Sequence, residues 1–224
     1  MNLINQDFKN QIRNQYLTEN VSLFLYSLIQ TCRPKNIIEF GTGYSTLFIS
    51  QAINDIKNEN PKFIEYLRDN DYSTNDYLSH TKFYNPKFTV VDNFSDESAI
   101  HETTDILKNN SLDDNITFVN QDMFDFIKTD NELYDFVWLD AGGAEEYMRI
   151  TEHFLQKLPP NGIIIIHSTV GNLMGKLFVS ELKMNHMGNH NIEIMTFEEP
   201  HKKIQNSFTV LKRQGHYKVY SVNA

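Results

Sequence analysis

With 224 residues, 40% of them apolar and 22% charged, the chain is long enough to bury one sizeable core and reads as a soluble globular protein. No apolar run reaches the ~18 residues that a membrane span needs, and the net charge of −9 argues against a broad basic face for nucleic acid, leaving small molecules as the expected partners. The single Cys32 excludes a disulfide framework and a cysteine zinc cluster, and the N-terminus is too polar for a secretory signal, so a cytoplasmic protein is expected.

Residues Asn2 to Thr31 carry apolar positions at helical spacing (Phe8, Ile12, Tyr16, Val21, Phe24, Leu25, Leu28, Ile29), with a break near Thr18 to Asn20. Arg33-Pro34-Lys35 stops this helical region. The stretch NIIEFGTGYSTLFIS, Asn36 to Ser50, then organises the chain: a buried strand ending in Glu39-Phe40, a turn with Gly41 and Gly43, and a helix start at Ser45. Such a turn places backbone N–H groups at a helix mouth, ready for a nucleotide-like ligand. The helix is expected to run to about Lys57. From Lys57 to Pro86 follows a polar, tyrosine-rich insertion with Pro61 and Pro86 and a short helix at Phe63 to Leu67. It reads either as a lid over the substrate or as a surface excursion or subunit contact.

Further along, strands are predicted at Phe88–Asp92, Ile116–Val119, Tyr134–Asp140 and Ile163–Ile166, with helices at Ser98–Asn110, Met123–Lys128, Ala144–Lys157 and Leu173–Met187 between and after them. Four consecutive isoleucines suit a strand buried on both faces. Ile192–Phe197 and Phe208–Arg213 are joined without a helical pattern and are expected to pair antiparallel. The pattern predicts one domain over residues 1–224, with N-terminal helices in 1–35 and the insertion at 57–86. Its class is α/β: a Rossmann-like, doubly wound seven-stranded sheet with an antiparallel last strand, in three α/β/α layers. Glu39, Asp92, Asp122 and Asp140 all fall at or just past strand carboxyl ends, where such sheets bind ligands, and are expected to line one rim.

These motifs, EFGTG at Glu39 to Gly43, VVD at Val90 to Asp92, QDM at Gln121 to Met123 and YDFVWLD at Tyr134 to Asp140, in this order, resemble the class I S-adenosylmethionine-dependent methyltransferases over about residues 30 to 213. The turn LPPNGIIIIHS and the final strand NSFTVLKR add to the resemblance. It implies S-adenosylmethionine as cofactor. Glu39 with the backbone of Gly41, Thr42 and Gly43 would hold its amino-acid end, and Asp92 its ribose hydroxyls. Asp122 would accept from the adenine amino group and Met123 would cover the base. Ser45 is expected either to cap the helix or to touch the cofactor carboxylate. A nicotinamide dehydrogenase is disfavoured, because the third glycine of its fingerprint is replaced by Thr46.

Methyl transfer needs alignment and, for a hydroxyl or amine acceptor, a base. Candidates are Asp140 and His167, followed by Tyr147 and His101. The remaining histidines, including His80, His186, His190 and His216, lack ligand spacing. The metal-dependent catechol-type relatives place an Asp-Asn after strand five. Here Ser168-Thr169 stand near those positions, so no essential metal is expected. The expected activity is methylation of a small polar metabolite, at oxygen rather than nitrogen. An N-methyltransferase of a small molecule, or a non-catalytic nucleotide-binding protein of the same fold, is the alternative. Methylation of RNA or protein is disfavoured by the acidity, no membrane partner is expected, and the N-terminal apolar helix is a candidate homodimer face.

Overall fold

The computed structural model describes residues 18–71 and 84–215. The expected helix over 2–17, the central part of the insertion with His80, and His216 lie outside the described residues. Six α-helices and seven strands are described: α1 (Glu19–Cys32), β1 (Asn36–Phe40), α2 (Tyr44–Asp69), β2 (Lys87–Asp92), α3 (Glu97–Asn109), β3 (Ile116–Asn120), α4 (Met123–Thr129), β4 (Phe136–Leu139), α5 (Ala144–Lys157), β5 (Ile163–His167), α6 (Leu173–Asn185), β6 (Ile192–Glu198) and β7 (Ser207–Arg213). The strands form one seven-stranded sheet in the order β3-β2-β1-β4-β5-β7-β6. β1, β2 and β3 pair parallel, as do β4 and β5, whereas β7 runs antiparallel to both β5 and β6. This is the Rossmann-like arrangement expected from the sequence, with its terminal antiparallel pair. The chain groups into two compact units, residues 1–123 and 124–224.

In the first unit, α1 turns Val21, Leu25 and Ile29 inward, so the apolar face of this helix is already used. Tyr26 donates its hydroxyl to Asp55 at 2.6 Å, and the Gln30 amide donates to the Ala52 carbonyl at 3.0 Å, tying α1 to α2. Burial, followed by the hydrogen bond to Asp55, pushes the Tyr26 phenol well above its ordinary range.

The helix after the glycine turn is longer than its sequence suggests. It continues past Lys57 to Asp69 with Pro61 inside it, so the first part of the 57–86 insertion is helix and not connection. A proline removes the N–H that would bond the carbonyl of Lys57, at a local cost of ~3 kcal/mol. Tertiary contacts outweigh it: Asn60 is buried and accepts from the Arg33 guanidinium at 3.2 Å, and Leu67 is buried. Where the described chain resumes, Tyr84 donates its hydroxyl to the Pro34 carbonyl at 2.9 Å, and the Lys87 N–H donates to the Lys35 carbonyl at 2.8 Å. Both bonds lie at the amino edge of β1 and β2.

In the second unit, β4 and β5 bury every residue, as the apolar runs require. β4 is shorter than expected, leaving Tyr134 before it and Asp140 just after it. α6 is seated by Gly175, where an added Cβ would stand 2.1 Å from the Thr169 carbonyl oxygen, a backbone atom that cannot step aside. Gly175→Ala is expected to lower unfolding stability by ~1–3 kcal/mol, the usual cost of overpacking, read from urea melts. An unchanged midpoint would mean that α6 seats differently.

Candidate active site

The first unit gathers the residues expected to hold a cofactor. Glu39 pairs in register with Val90, and Val90 with Phe118. Asp92 lies two residues beyond Val90, so the two-residue pleat sends its side chain to the same sheet face as Glu39. Asp122 lies four residues beyond Phe118, exposed, immediately before α4. The ladder continues past the strands: the Gly41 N–H donates to Val91 and the Gln121 N–H to Asp92, both at 3.0 Å. The three acid-bearing strand ends are therefore laced into one edge.

Asp92 fixes two loops at once. Its Oδ2 accepts the Thr42 N–H at 2.7 Å, and its Oδ1 accepts the Phe94 N–H at 2.8 Å. The second bond is an Asx turn, in which a side chain stands in for a backbone acceptor. It accompanies the left-handed φ of 55° at Phe94. Gly41 has a φ of 97°, a conformation that L side chains rarely adopt, so the turn requires glycine there. A Cβ at Gly43 would meet nothing within 4 Å, so the space above the turn is open.

Glu39 is fully buried, and Ser45 donates its hydroxyl to Glu39 Oε1 at 2.5 Å. Gly43 is the N-cap of α2, and its own N–H donates to Thr46 Oγ1 at 3.0 Å. Ser45 is thus no helix cap; it couples the strand acid to the first turn of α2. Thr46, which stands where a dehydrogenase would have glycine, braces the turn instead. The Thr42 hydroxyl oxygen is buried and has no hydrogen-bond partner among the described residues. Met123, half-buried, opens α4. His101 is exposed on α3 and lines a groove with Phe94 and Glu97, also within the first unit.

The second unit brings Asp140 and His167 together. Asp140 follows β4, His167 ends β5, and these strands are neighbours in parallel register. Nδ1 of His167 stands 2.6 Å from Asp140 Oδ1. His167 is 1% exposed while the Asp140 side chain is 22% exposed, so only the carboxylate reaches the surface. Nε2 of His167 is buried without a partner among the described residues. With Nε2 unbonded, the network places a ring proton on Nδ1, donated to Asp140. The Trp138 ring lies 5.5 Å from the His167 ring, centroid to centroid, and helps to wall it in.

Tyr147 on α5 is buried, and that burial, then the charges of Asp140 and Glu146, push its phenol well above the ordinary range. It stays a neutral donor at physiological pH. The Gly143 N–H donates to the Glu146 carboxylate at the start of α5. Beside it, a cleft of about 640 Å³ is lined by Gly143, Ala144, Glu145, Glu146, Asn172, Leu173 and Met174. These are the residues that follow β4 and β5. No group of three or more His, Cys, Asp or Glu side chains arranged to hold a metal occurs among the described residues.

Sequence reasoning named Asp140 and His167 singly but did not pair them, and it missed the bracing bond of Thr46, the place of Trp138 against His167 and the Asx turn at Asp92. Only the last had a local signal, the run Asp92-Asn93-Phe94.

No curated protein sequence matches the chain. Among solved structures, the O-methyltransferase TomG from Streptomyces achromogenes, involved in tomaymycin synthesis and solved with SAM, is similar in fold. It is 13% identical, with 88% of this chain and 80% of that one covered at a TM-score of 0.60. An O-methyltransferase from Bacillus cereus in complex with SAH is 15% identical, with 87% and 81% covered and a TM-score of 0.60. A SAH-bound methyltransferase from Podospora anserina is 14% identical, with 87% and 78% covered and a TM-score of 0.58. At these identities the likeness is one of fold. The family model described as a methyltransferase domain, however, matches residues 38–169, which is more than half of the sequence and includes the glycine turn, Asp92, Asp140 and His167. The chain therefore belongs to the methyltransferase-domain family and has the fold of the class I S-adenosylmethionine-dependent methyltransferases.

Proposed function

We propose that this protein methylates an oxygen of a small-molecule acceptor, with Asp140 taking the acceptor proton. The observation that carries this reading is the 2.6 Å Asp140–His167 pair, a carboxylate at the surface backed by a buried imidazole.

The first unit fits an adenosyl ligand. Space is open above Gly43, the Thr42 hydroxyl is buried without a partner among the described residues, and both Asp92 oxygens are fixed by backbone N–H groups while keeping further lone pairs. In this proposal Asp92 accepts the ribose hydroxyls and Asp122 the adenine amino group, with Met123 against the base. The Gly41–Gly43 turn holds the amino-acid end, and the Glu39–Ser45 contact holds the turn. When bound, S-adenosylmethionine supplies an electrophilic methyl group on a sulfonium.

The chain's own part is alignment and proton transfer. With Oδ1 of Asp140 held by His167, its other oxygen is aimed at an acceptor O–H. That oxygen would take the acceptor proton as the new oxygen–carbon bond replaces the carbon–sulfur bond, whose electron pair stays on sulfur to leave a neutral thioether. The burial of His167 makes it a positioning residue, since it cannot touch the acceptor. Tyr147, neutral and beside Asp140, adds a donor. Asp140 is the one hard oxygen ligand of the pair, and an octahedral cation asks for several, so the proposal includes no resident metal. The cleft beside Glu145 and Leu173 suits a compact molecule, in keeping with the net charge of −9.

Incubation with methyl-labelled S-adenosylmethionine and a fractionated metabolite extract, followed by mass analysis, tests the reading. A product labelled at an ether or ester methyl is expected, and chelator should not prevent it. Label on nitrogen alone, or cofactor binding with no turnover on any fraction, would overturn it.

A further inference from the structure

We infer that one buried water, held by Trp138, Thr151 and His167, sits between α5 and the β4–β5 pair and fixes the His167 ring against Asp140. The three residues are 0%, 0% and 1% exposed, and Trp138 Nε1, Thr151 Oγ1 and His167 Nε2 each lack a hydrogen-bond partner among the described residues. All three face one interlayer. Trp138 pairs in register with Ile165 and Leu139 with Ile166, so Asp140 and His167 stand at the next level. Alternation along each strand puts Trp138, Asp140 and His167 on one face. The Trp138–His167 ring contact at 5.5 Å and the His167–Asp140 bond at 2.6 Å agree with that. α5 covers this face with its buried stripe of Tyr147, Ile150, Thr151 and Phe154. At one end the Asp140 charge acts on the Tyr147 phenol; at the other the Phe154 and Tyr134 rings meet at 5.8 Å. Thr151 lies four helical residues from Tyr147, about 6 Å, and Trp138 two strand residues from Asp140, about 6.6 Å. The threonine and the indole are therefore level.

Thr151 adds an independent sign. The helical hydroxyls of Thr31, Ser50 and Thr104 each donate to the carbonyl four residues back, the usual resort of a hydroxyl within a helix. Thr151 forgoes that bond, which leaves its oxygen for the interlayer. Magnitudes then choose the partner. Stranding three buried polar groups would consume a large share of a domain's stability, whereas immobilising one water costs no more than stranding one of them. The donor set suits water as well. An indole N–H can only donate, an unprotonated ring nitrogen can only accept, and a hydroxyl can do either. A water accepts from Trp138, donates to His167 Nε2 and bonds Thr151, about three bonds in all, the usual number for a buried water. A cation would meet the indole N–H, which has no lone pair to give. With Nε2 held, the ring cannot turn and Nδ1 stays on Asp140, so Trp138 and Thr151 act as positioning residues. The water site stands whether or not Asp140 is the base; its use in catalysis rests on that reading.

A crystal structure of the full chain that orders internal water is the first test, and one water within about 3 Å of all three atoms is expected. Three atoms bonded to other side chains, or an enclosed space without density, would overturn the proposal. Nitrogen NMR of histidine-labelled protein is the second test, with the His167 signals assigned by their loss in His167→Gln. Wild type should show one tautomer, protonated on Nδ1, with the Nε2 resonance displaced upfield by the hydrogen bond it accepts. Thr151→Val, close to isosteric, leaves the water two partners, so Nε2 should move downfield; Thr151→Ser should bring it back. Adding Trp138→Phe to Thr151→Val leaves one partner, and both tautomers should then appear. A merely structural role would lower the melting point and leave the tautomer ratio alone. Should the double variant fail to fold, the Thr151→Val and Thr151→Ser pair decides. An Nε2 resonance that is the same in wild type and Thr151→Val would overturn the proposal. Neither test reads turnover, so failure here and failure of the acceptor reading are separate results.

Discussion

Asp92→Ala is expected to weaken S-adenosylmethionine binding by roughly 100-fold or more, the largest effect of any single change in the first unit. Alanine would leave the N–H groups of Thr42 and Phe94 without their charged acceptor, so the glycine turn and the loop after β2 would lose a common anchor. In the proposed complex the ribose hydroxyls lose the same carboxylate. Asp92→Asn separates the two contributions. One of its terminal atoms still accepts while the other becomes a donor facing a donor, so about tenfold of binding should survive between the variants. Calorimetric titration with the cofactor reads both. Unfolding by urea should show a loss of ~1–3 kcal/mol for the alanine variant, the cost of stranding buried donors. Unchanged affinity in Asp92→Ala would remove the ribose assignment.

Asp140→Ala should lower kcat by a factor of about 10² to 10⁴, the range supplied by a positioned general base, while cofactor affinity stays within about twofold. The two variants thus separate binding from chemistry: one loses the cofactor, the other keeps it and stalls. His167→Ala should fall between, because Asp140 would keep its charge but lose the donor that aims it, and His167→Gln should recover part of the rate by restoring an N–H. The split matters: a positioning role moves kcat more than KM for the acceptor, whereas general damage to the fold moves both along with the melting point. Equal rates for wild type and Asp140→Ala would end the assignment of Asp140 as base.

The framework of this protein is written in local patterns. Four isoleucines specify the buried β5, the helix over Ala144–Lys157 was legible to the residue, and Glu39, Asp92 and Asp122 mark strand ends because buried strands rarely tolerate acids elsewhere. What escaped the sequence depends on distance. Ser45 meets Glu39 only because the glycine turn folds six residues back on themselves. Asp140 and His167 are separated by 27 residues and meet only because β4 and β5 are neighbours. Gly175 looks like an ordinary weak spot in a helix until the Thr169 carbonyl appears beside it. At Pro61 a sound local rule gave the wrong boundary, since burial of Asn60 and Leu67 outweighs one lost hydrogen bond.

The long α2 has a consequence for how such a chain can diversify. At 26 residues it measures ~39 Å, far more than β1 or β2 requires, and Asn60 already stands beside Arg33 at the start of β1. The helix continues past Asn60 to Asp69, and Tyr84 is tied to Pro34 at the level of Arg33. The two anchors, Asn60 and Tyr84, thus meet Arg33 and Pro34 just before β1, at the end of the strand opposite the glycine turn. A change of length in the interval between them would therefore be held at both ends by contacts that do not involve the glycine turn.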